Sequence, residues 1–382
     1  MSLFVYQKTG RYFAQIPEAF ETIAEKELES LGAVQLKHGF RGIHFSADNA
    51  TLYTINYNAR LLTRVLAPLA TFTCRDRDDI YRAGKSIDWT TFFSVTNTFG
   101  IFANVSGNIN IRHSKFASLC LKDAVADFFR SKCGSRPDVD GKYPDIWLNL
   151  HIEGNQAIIN VDTSGGSLHR RGYRRETVET PMQETLAAAI LALSGWHGER
   201  PLYDPMCGSG TLLCEAMMHV CLIPAGFLRN RFGFSFLPDF DEKLWRKIKE
   251  QSDKKIRHLP KGLIAGSDKA RAAVKAATAN CRCLPDGDEI DIVHKDIHEL
   301  PGIENAVIVC NPPYGIRLKD DTGLDIFYKN LGDFFKQRCK GSHVYLFFGN
   351  RDMIKKTGLK PAWKKPLRNA GLDGRLVKYE MF

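Results

Sequence analysis

Three short segments of this 382-residue chain place acidic, amide and glycine residues where they could bind a ligand and act on an amine. The first is Asp204-Pro205-Met206-Cys207-Gly208-Ser209-Gly210-Thr211, between a predicted strand and a predicted helix. Its glycines let the backbone approach a ligand and leave amides at the helix N-terminus for an anion. A tight strand–helix turn would explain a Gly-x-Gly alone, but the longer run with an acid at the strand end favours ligand binding.

Two further acids follow predicted strands. Asp268 ends Gly266-Ser267-Asp268, and Asp296 follows a strand predicted at 290–293. A carboxylate at the second strand end commonly holds the ribose hydroxyls of a nucleoside cofactor, and Asp296 could accept from an adenine amine. Asp is also a favoured helix N-cap residue, so a capping role is open at both positions.

The third segment, Asn311-Pro312-Pro313-Tyr314-Gly315, follows the apolar strand predicted at 306–310. The prolines restrict the backbone and hold a carbonyl in place. The Asn311 oxygen and that carbonyl can both accept from one amine, and Tyr314 offers a face for stacking a base. A rigid turn with a surface tyrosine would explain the prolines, but not a polar residue closing a buried strand.

Strands and helices alternate after Pro181, which predicts a parallel, doubly wound sheet. The predicted strands are 202–204, 263–267, 290–293, 306–310, 343–348 and 376–382, and the predicted helices are 184–193, 211–221, 270–280 and 326–335. In such a sheet, ligands bind beyond the carboxyl ends of the strands. All three segments follow strand ends, so we expect them to meet at one edge.

The residues before 166 predict a mixed α+β region. Strands are predicted at 12–16, 43–45 and 99–105, helices at 20–31, from a cap at Asp48 or Asn49 to about 61, and at 118–130, and a hairpin at 146–151 and 157–162. The run Ser164-Gly165-Gly166-Ser167 is typical of a linker.

The chain carries 53 Lys and Arg against 43 Asp and Glu, a formal net charge of +10. Such a surplus suits a polyanionic partner or simply a solvated basic surface. The densest basic run is Leu168-His169-Arg170-Arg171-Gly172-Tyr173-Arg174-Arg175. It could bind phosphates, or it could be a linker whose arginines pair with nearby acids.

These motifs resemble those of class I S-adenosylmethionine (SAM) methyltransferases that modify amino nitrogens, whose signature is Asn, Asp or Ser followed by Pro-Pro and an aromatic residue. Over nearly the whole chain, their order is similar to that of bacterial THUMP-domain RNA guanine-N2 methyltransferases of the large-subunit ribosomal RNA type, which often carry the label of N6-adenine-specific DNA methylases. Further shared runs are Asp162-Thr163-Ser164-Gly165, Leu168 to Arg174, and Glu184-Thr185-Leu186-Ala187-Ala188-Ala189.

The resemblance implies the α/β fold class, with a class I (Rossmann-like) SAM methyltransferase domain after an N-terminal ferredoxin-like and THUMP α+β region. We expect a ferredoxin-like domain at 1–65, a THUMP RNA-binding domain at 66–165 and the methyltransferase domain at 166–382. Some family members carry a second methyltransferase domain, and none is expected within these residues.

The resemblance also implies SAM as the cofactor and S-adenosylhomocysteine as its product. The expected cofactor-binding residues are Asp204, Pro205, Met206, Cys207, Gly208, Gly210, Thr211, Asp268, Lys269, Asp296, Ile297 and Asn311. The expected catalytic residues are Asn311, Pro312, Pro313 and Tyr314. The expected RNA-binding residues are Arg170, Arg171, Tyr173, Arg174 and Arg175.

The implied chemistry is methyl transfer to the exocyclic N2 of a guanine in 23S ribosomal RNA. The guanine would flip out and stack on Tyr314. Asn311 and the Pro312 carbonyl would accept the hydrogens of N2, whose lone pair is otherwise delocalised into the ring. This chemistry relies on positioning and preorganised electrostatics, and no metal is expected.

Three alternatives are open at this stage. The Asn-Pro-Pro-Tyr segment suits an N6-adenine DNA methyltransferase equally well, transfer RNA could replace ribosomal RNA, and a non-catalytic RNA-binding assembly factor could keep the same fold. The chain has 10 cysteines without a Cys-x-x-Cys pair, which favours reduced thiols and a cytoplasmic protein. No signal peptide or membrane span is expected, and the sequence does not predict an oligomeric state.

Overall fold

The computed structural model describes residues 3–178, 181–313, 321–369 and 372–382. The chain divides into two units. Unit 1 comprises Met1–Ile16, Glu25–Leu168 and Arg229–Glu250, whereas unit 2 comprises Pro17–Ala24, His169–Leu228 and Gln251–Phe382. The predicted domain boundaries at 65/66 and 165/166 stay predictions, since this division does not follow them.

Unit 1 contains a sheet that has eight strands within the described residues. The strands are β1 (Arg11–Gln15), β2 (Val34–Gly39), β3 (Gly42–Ser46), β4 (Arg64–Thr73), β5 (Thr98–Ser106), β6 (Asp138–Val139), β7 (Ile146–Glu153) and β8 (Gln156–Asp162). Their order is β2-β3-β1-β4-β8-β7-β5-β6. Pairing is antiparallel except between β5 and its neighbours β6 and β7. The long strand β4 joins the two halves of this sheet and was not predicted.

Some helices of unit 1 begin or end at residues with recognisable capping chemistry. The helices of this unit are α1 (Val5–Thr9), α3 (Asn49–Asn58), α4 (Arg77–Ser86) and α5 (Ser114–Cys133), while α2 (Glu21–Ser30) contains residues of both units. Of the two predicted caps for α3, Asp48 is the one used: its side chain accepts from the Thr51 amide at 2.8 Å. Asp76 caps α4 in the same way, and α5 ends at Gly134 with φ 74°.

The linker predicted at 164–167 is wrong, because its first residue is buried and the segment is hydrogen-bonded. Ser164 is fully buried, and its hydroxyl donates to Asn56 and accepts from the Val65 amide. The Asp162 carboxylate accepts from the amides of Ser164 and Gly166. A segment whose polar groups are hydrogen-bonded in this way is an ordered turn, not a flexible connection.

An aromatic cluster explains why Arg229–Glu250 belongs to unit 1. Trp245 packs edge-on against Tyr53, Tyr57 and Phe232 with ring centroids 5.3–6.3 Å apart. Close approach of the backbone requires Gly233, where an added Cβ would lie 1.9 Å from the Asp162 carbonyl oxygen. Nothing in the local sequence pattern predicted this return to unit 1.

Unit 2 contains a second sheet, seven strands wide within the described residues. The strands are β9 (Leu202–Asp204), β10 (Ile264–Asp268), β11 (Asp291–His294), β12 (Val307–Cys310), β13 (His343–Phe348), β14 (Trp363–Asn369) and β15 (Leu372–Glu380). In the order β11-β10-β9-β12-β13-β15-β14, the first five strands are parallel and the last two antiparallel to their neighbours. The expected parallel sheet is therefore correct for the first five strands and wrong for β15 and β14.

The helices of unit 2 are α6 (Glu184–Ser194), α7 (Thr211–Val220), α9 (Arg271–Cys281), α10 (Asp321–Arg338) and α11 (Met353–Lys356), while α8 (Glu242–Asp253) contains residues of both units. Four of them, α6, α7, α9 and α10, match the predicted positions to within about five residues, whereas α8 and α11 were not predicted. The core between α10 and the sheet includes Ile308, Tyr328, Leu331, Phe335 and Leu346, all essentially inaccessible to solvent. None of the described helices is long and apolar enough to cross a membrane.

Candidate active site

The carboxyl ends of β9, β10 and β12 open onto one cavity of about 360 Å³ in unit 2. Its lining residues are Val178, Pro181, Met182, Asp204, Pro205, Met206, Cys207, Gly208, Ser209, Thr211, Leu212, Asp268, Lys269, Ala270, Asp296, Ile297, His298, Asn311, Pro312, Pro313 and Phe327. All the predicted cofactor-binding residues line it except Gly210, and so do Asn311, Pro312 and Pro313. Tyr314 lies outside the described residues.

The two glycines of the first segment have different roles. Gly208 lines the cavity with φ 54°, and an added Cβ would meet only Val178 at 3.9 Å. Gly210 has φ 80°, and an added Cβ would lie 3.1 Å from Ala277 in α9. Gly210 therefore allows helix packing below the turn and does not line the cavity, which corrects the expectation that it contacts a ligand.

Asp268 and Asp296 both cap local structure and line the cavity. The Asp268 carboxylate accepts from the amides of Gly208 and Ala270, each at 2.9 Å. It thereby ties the turn after β9 to the end of β10. The Asp296 carboxylate accepts from the His298 amide at 3.0 Å. The capping and ligand-facing interpretations, which the sequence left open, are compatible at both positions.

Asn280 in α9 is a supporting residue that the sequence interpretation missed. Its side chain is fully buried. The amide nitrogen donates to the carbonyls of Ser209 and Glu176, and the oxygen accepts from the amides of Arg175 and Glu176. One side chain thus joins the basic run to the turn that lines the cavity. An asparagine at an interior helical position was the only available signal.

Asp204 is a buried acid at the edge of the cavity. Burial raises the pKa of its carboxyl to about 8, although the Met206 amide, which donates to it, lowers the pKa; the charge of Asp268 adds to the rise. The carboxyl is therefore largely protonated at neutral pH, although the sequence suggested that a charged acid here would contact the ligand. Its backbone hydrogen bond at 3.1 Å holds the start of the turn.

Replacing Asp204 by asparagine is expected to flatten the pH dependence of stability. Because the folded-state pKa is raised, folding retains a proton that the unfolded chain releases above its ordinary value of 3.8. The contribution to stability is largest at low pH and is lost as pH rises to 8. Between pH 5 and 8, this contribution to the free energy of unfolding can fall by at most about 4 kcal/mol. Thermal unfolding of the parent and of Asp204→Asn at both pH values measures the effect. If stability falls equally in the two proteins as the pH rises, the prediction is contradicted.

The Asn311-Pro312-Pro313 turn continues directly from β12, whose residues are all buried. Asn311 is half-buried and lines the cavity. The carbonyl of Pro313 accepts from the hydroxyl of Tyr328 in α10 at 3.1 Å. Tyr328 is completely buried and stacks on Phe348 with ring centroids 5.5 Å apart. A rigid aromatic residue therefore holds the end of the turn, a contact that no local motif predicted.

Tyr328→Phe is expected to lower kcat by about tenfold, since small misplacements of reacting groups are costly. The lost hydrogen bond should cost only about 1 kcal/mol of stability. Tyr345→Phe is the matched control, because its hydroxyl donates to the Ser194 carbonyl at 2.8 Å, away from the turn. Steady-state kinetics at saturating cofactor would show the difference. Equal kcat values for the two variants would remove the positioning role from Tyr328.

The basic run is largely structural. Arg171 and Tyr173 are each 1% exposed, and both bond to the carboxylate of Glu215 in α7, Arg171 at 3.2 Å and Tyr173 at 3.1 Å. The expectation that these two residues contact RNA is wrong, because phosphates cannot reach them.

The remaining arginines of the run divide between interior and surface. Arg174 donates to the Met182 carbonyl and to the Thr211 hydroxyl at 2.7 and 3.1 Å. It also pairs with Glu184 at 3.3 Å, whose pKa is raised by burial. Only Arg170 and Arg175 of the run have exposed side chains. The alternative of arginines paired with nearby acids therefore holds for its interior members.

A family model described as an RMKL-like methyltransferase domain matches residues 171–378, more than half of the chain. The chain belongs to the RMKL-like methyltransferase family. Models of the THUMP domain and of the RlmL ferredoxin-like domain match residues 74–162 and 11–66 of this family member. The resemblance inferred from the motifs is confirmed.

Proteins similar to this RMKL-like protein are also named as methyltransferases. A Synechocystis sp. protein named as a candidate RNA methyltransferase is 39% identical, over 98% of this chain and 97% of its own length. The ribosomal RNA large subunit methyltransferase K/L of Syntrophotalea carbinolica is 35% identical over 97% of this chain, which spans only 53% of that relative. The solved structure of SMU.472, a candidate methyltransferase complexed with S-adenosylhomocysteine, superposes with a TM-score of 0.84 and 26% identity, covering 98% of each chain.

The protein is therefore an enzyme, a SAM-dependent methyltransferase of class I fold. Within the described residues, no group of three or more His, Cys, Asp or Glu side chains could hold a metal ion.

Proposed function

We propose that this protein transfers a methyl group from SAM to the exocyclic N2 of a guanine in 23S ribosomal RNA. One observation carries the proposal. The turn Asn311-Pro312-Pro313 lines the same cavity as Gly208 and Asp268, so an amine-binding turn and a nucleoside-binding edge share one space.

The cavity fits the cofactor in size and chemistry. Its volume of about 360 Å³ lies within the range of small-molecule sites. Asp268 would hold the ribose hydroxyls and Asp296 the adenine amine, while the buried side chains of Leu212 and Ile297 offer apolar surface to the base. Gly208 would leave room for the methionyl part. The cofactor supplies an activated methyl group on its sulfonium sulfur.

The chain itself supplies hydrogen-bond acceptors for the amine. The Asn311 side-chain oxygen and the Pro312 carbonyl would each accept one hydrogen of N2, which directs the nitrogen lone pair out of the ring plane. Both acceptors are held before the substrate arrives, by β12 on one side and by the Tyr328–Pro313 hydrogen bond on the other. Preorganised polar groups of this kind lower a barrier without further rearrangement. We assign stacking of the flipped base to Tyr314 on its sequence position.

Three observations support RNA as the substrate, and the second of them favours ribosomal RNA. Residues 74–162 match the THUMP domain, several relatives are named ribosomal RNA large subunit methyltransferases, and the chain has a formal net charge of +10. Of the basic run, the exposed Arg170 and Arg175 would contact phosphates. Such contacts dominate affinity for nucleic acid and make it salt-dependent.

Product analysis tests the proposal. The protein is incubated with methyl-labelled SAM and, separately, with unmodified 23S ribosomal RNA, transfer RNA and duplex DNA, and the nucleic acid is then digested to nucleosides. N2-methylguanosine from ribosomal RNA is the expected product. N2-methylguanosine from transfer RNA alone would show that transfer RNA, not ribosomal RNA, is the substrate. N6-methyladenine from DNA would show that both the proposed target base and the proposed substrate are wrong. Absence of product from all three would refute the proposal in this form.

A further inference from the structure

An open face of the sheet in unit 1 carries an aromatic ring among cations. Phe13 of β1 pairs across the strands with His44 of β3, which in turn pairs with Lys37 of β2. Residues paired in this way project from the same face of a sheet. Arg11, two residues before Phe13, projects from that face as well. Arg11, Lys37 and His44 are exposed, and Phe13 is half-buried.

Two glycines leave room for the Phe13 ring to pack against the β2–β3 hairpin. At Gly42 an added Cβ would lie 2.1 Å from the tip of the ring, and at Gly39 it would lie 3.2 Å from the imidazole of His44. The rings of Phe13 and His44 have centroids 4.7 Å apart at an angle of 50°. An aromatic pair is thus fixed in place yet partly open to solvent. We call Arg11, Phe13, Lys37 and His44 the aromatic platform.

The surroundings of the platform favour an anionic ligand. A depression of about 430 Å³ beside it is lined by Arg11, Gln35, Lys37, His38, His44 and Phe45. Among the described residues that line this depression, none is acidic. Glu25 lies nearby but bonds to His38 at 3.0 Å. Burial, Lys37, His151 and Arg11 lower the pKa of His44, so at neutral pH its ring is uncharged and suited to stacking.

The turn of the β2–β3 hairpin adds a further aromatic side chain. Phe40 is 70% exposed, and the guanidinium of Arg41 lies 5.5 Å from its ring centroid. Exposed aromatic rings beside cations on an open antiparallel sheet match the way in which proteins bind unpaired nucleotides, with bases on rings and phosphates on cations. A duplex keeps its base faces stacked inside, and protein interfaces are depleted in lysine.

We propose that the aromatic platform binds single-stranded RNA, with one unpaired base stacked on Phe13 and His44 and the flanking phosphates on Arg11 and Lys37. The choice of RNA as the nucleic acid rests on the proposed function. The platform would recognise an unpaired segment of the substrate, while the cavity in unit 2 acts on the target base.

Binding of labelled RNA to the full chain tests the platform. The probes are a fluorescein-labelled single-stranded RNA of ten nucleotides and a duplex of the same length, titrated by fluorescence anisotropy at several salt concentrations. Phe13→Leu keeps apolar volume over Gly42 and removes the ring. It should weaken single-strand binding by about tenfold or more and change duplex binding less than about twofold. Lys37→Ala should reduce the steepness with which the logarithm of the single-strand binding constant falls with the logarithm of salt concentration, by about 0.7.

Matched controls separate the platform from general effects. Trp363 of β14 is also half-buried beside a lysine, with the Lys365 nitrogen 4.9 Å from its ring centroid, and Lys364 is exposed on the same strand. Both lie outside the residues that match the THUMP domain, so Trp363→Leu and Lys364→Ala should bind like the parent protein. Should Phe13→Leu not fold, His44→Ala at its exposed position should weaken single-strand binding about threefold or more.

The proposal is overturned when Phe13→Leu, or His44→Ala in its place, binds the single strand as tightly as the parent protein. It is also overturned when Trp363→Leu weakens single-strand binding as much as Phe13→Leu does. Binding requires no methyl transfer, so the two proposals can fail separately. A protein that binds single strands through Phe13 but methylates no ribosomal RNA refutes only the proposed function. One that methylates ribosomal RNA while Phe13→Leu binds normally refutes only the platform.

Discussion

Asn311→Ala is expected to lower kcat for methyl transfer by about 10²- to 10³-fold, the effect typical of removing one preorganised hydrogen-bonding group from a reacting centre. Asn311 continues β12 into the cavity, and its side-chain oxygen is one of the two proposed acceptors for the target amine. Alanine removes that acceptor but leaves the prolines and Tyr328 in place. Stability should change little, since the side chain is only half-buried.

Two further variants sharpen the test. Asn311→Asp retains an oxygen acceptor and should keep more activity than the alanine variant. Asn350 follows the neighbouring strand β13 but does not line the cavity, so Asn350→Ala should leave kcat within about twofold of the parent, as expected of a site away from the reaction. The measurements are single-turnover methyl transfer and cofactor affinity by calorimetry. Near-parental turnover by Asn311→Ala would remove Asn311 from the catalytic residues.

Glu215→Ala is expected to cost about 3–5 kcal/mol of stability, because breaking a buried ion pair leaves an uncompensated charge. Glu215, Arg171 and Tyr173 are each about 1% exposed. Arg171 donates to both carboxylate oxygens, and Tyr173 donates to one of them. Alanine leaves the guanidinium of Arg171 in the interior without this carboxylate. For a unit of this size the unfolding temperature should fall by roughly 10 °C.

An exposed pair provides the control. Glu242 and Arg246 form an ion pair one helical turn apart in α8, with side chains 62% and 76% exposed. Glu242→Ala should shift the unfolding temperature by less than about 2 °C, since exposed pairs contribute little. Glu215→Gln keeps the hydrogen-bonding shape and loses the charge, so its unfolding temperature should lie between those of the parent and Glu215→Ala. Equal shifts for Glu215→Ala and Glu242→Ala would show that the buried pair does not stabilise unit 2.

The basic run shows how far local pattern can mislead. Four arginines within six residues around Tyr173 predict a phosphate-binding surface, because arginine is rarely buried. The structure instead buries Arg171 and half-buries Arg174, since Glu215 in α7 and Glu184 in α6 supply carboxylates from two helices that follow the run. The acids were visible in the sequence. Their proximity to the arginines was not, because it depends on how the helices of unit 2 pack.

Sequence alone was sufficient to place the polar residues at the strand ends. The segments at Asp204, Asp268, Asp296 and Asn311 each follow a strand, and parallel strands bring their carboxyl ends to one edge. Convergence of these residues on a single cavity was therefore predictable from the order of the elements, as were the family and its cofactor.

Only the tertiary structure decided what supports those segments. Tyr328 reaches Pro313 from α10, Asn280 joins two loops from α9, and Gly210 makes room for Ala277. The same holds for Phe13, whose ring lies against Gly42 in the next strand. A local motif can reveal the hydrogen bonds of a backbone turn, because those bonds form between residues that are close in sequence. Contacts between distant segments leave no such local pattern, since one buried tyrosine or glycine looks like any other until the chain has folded.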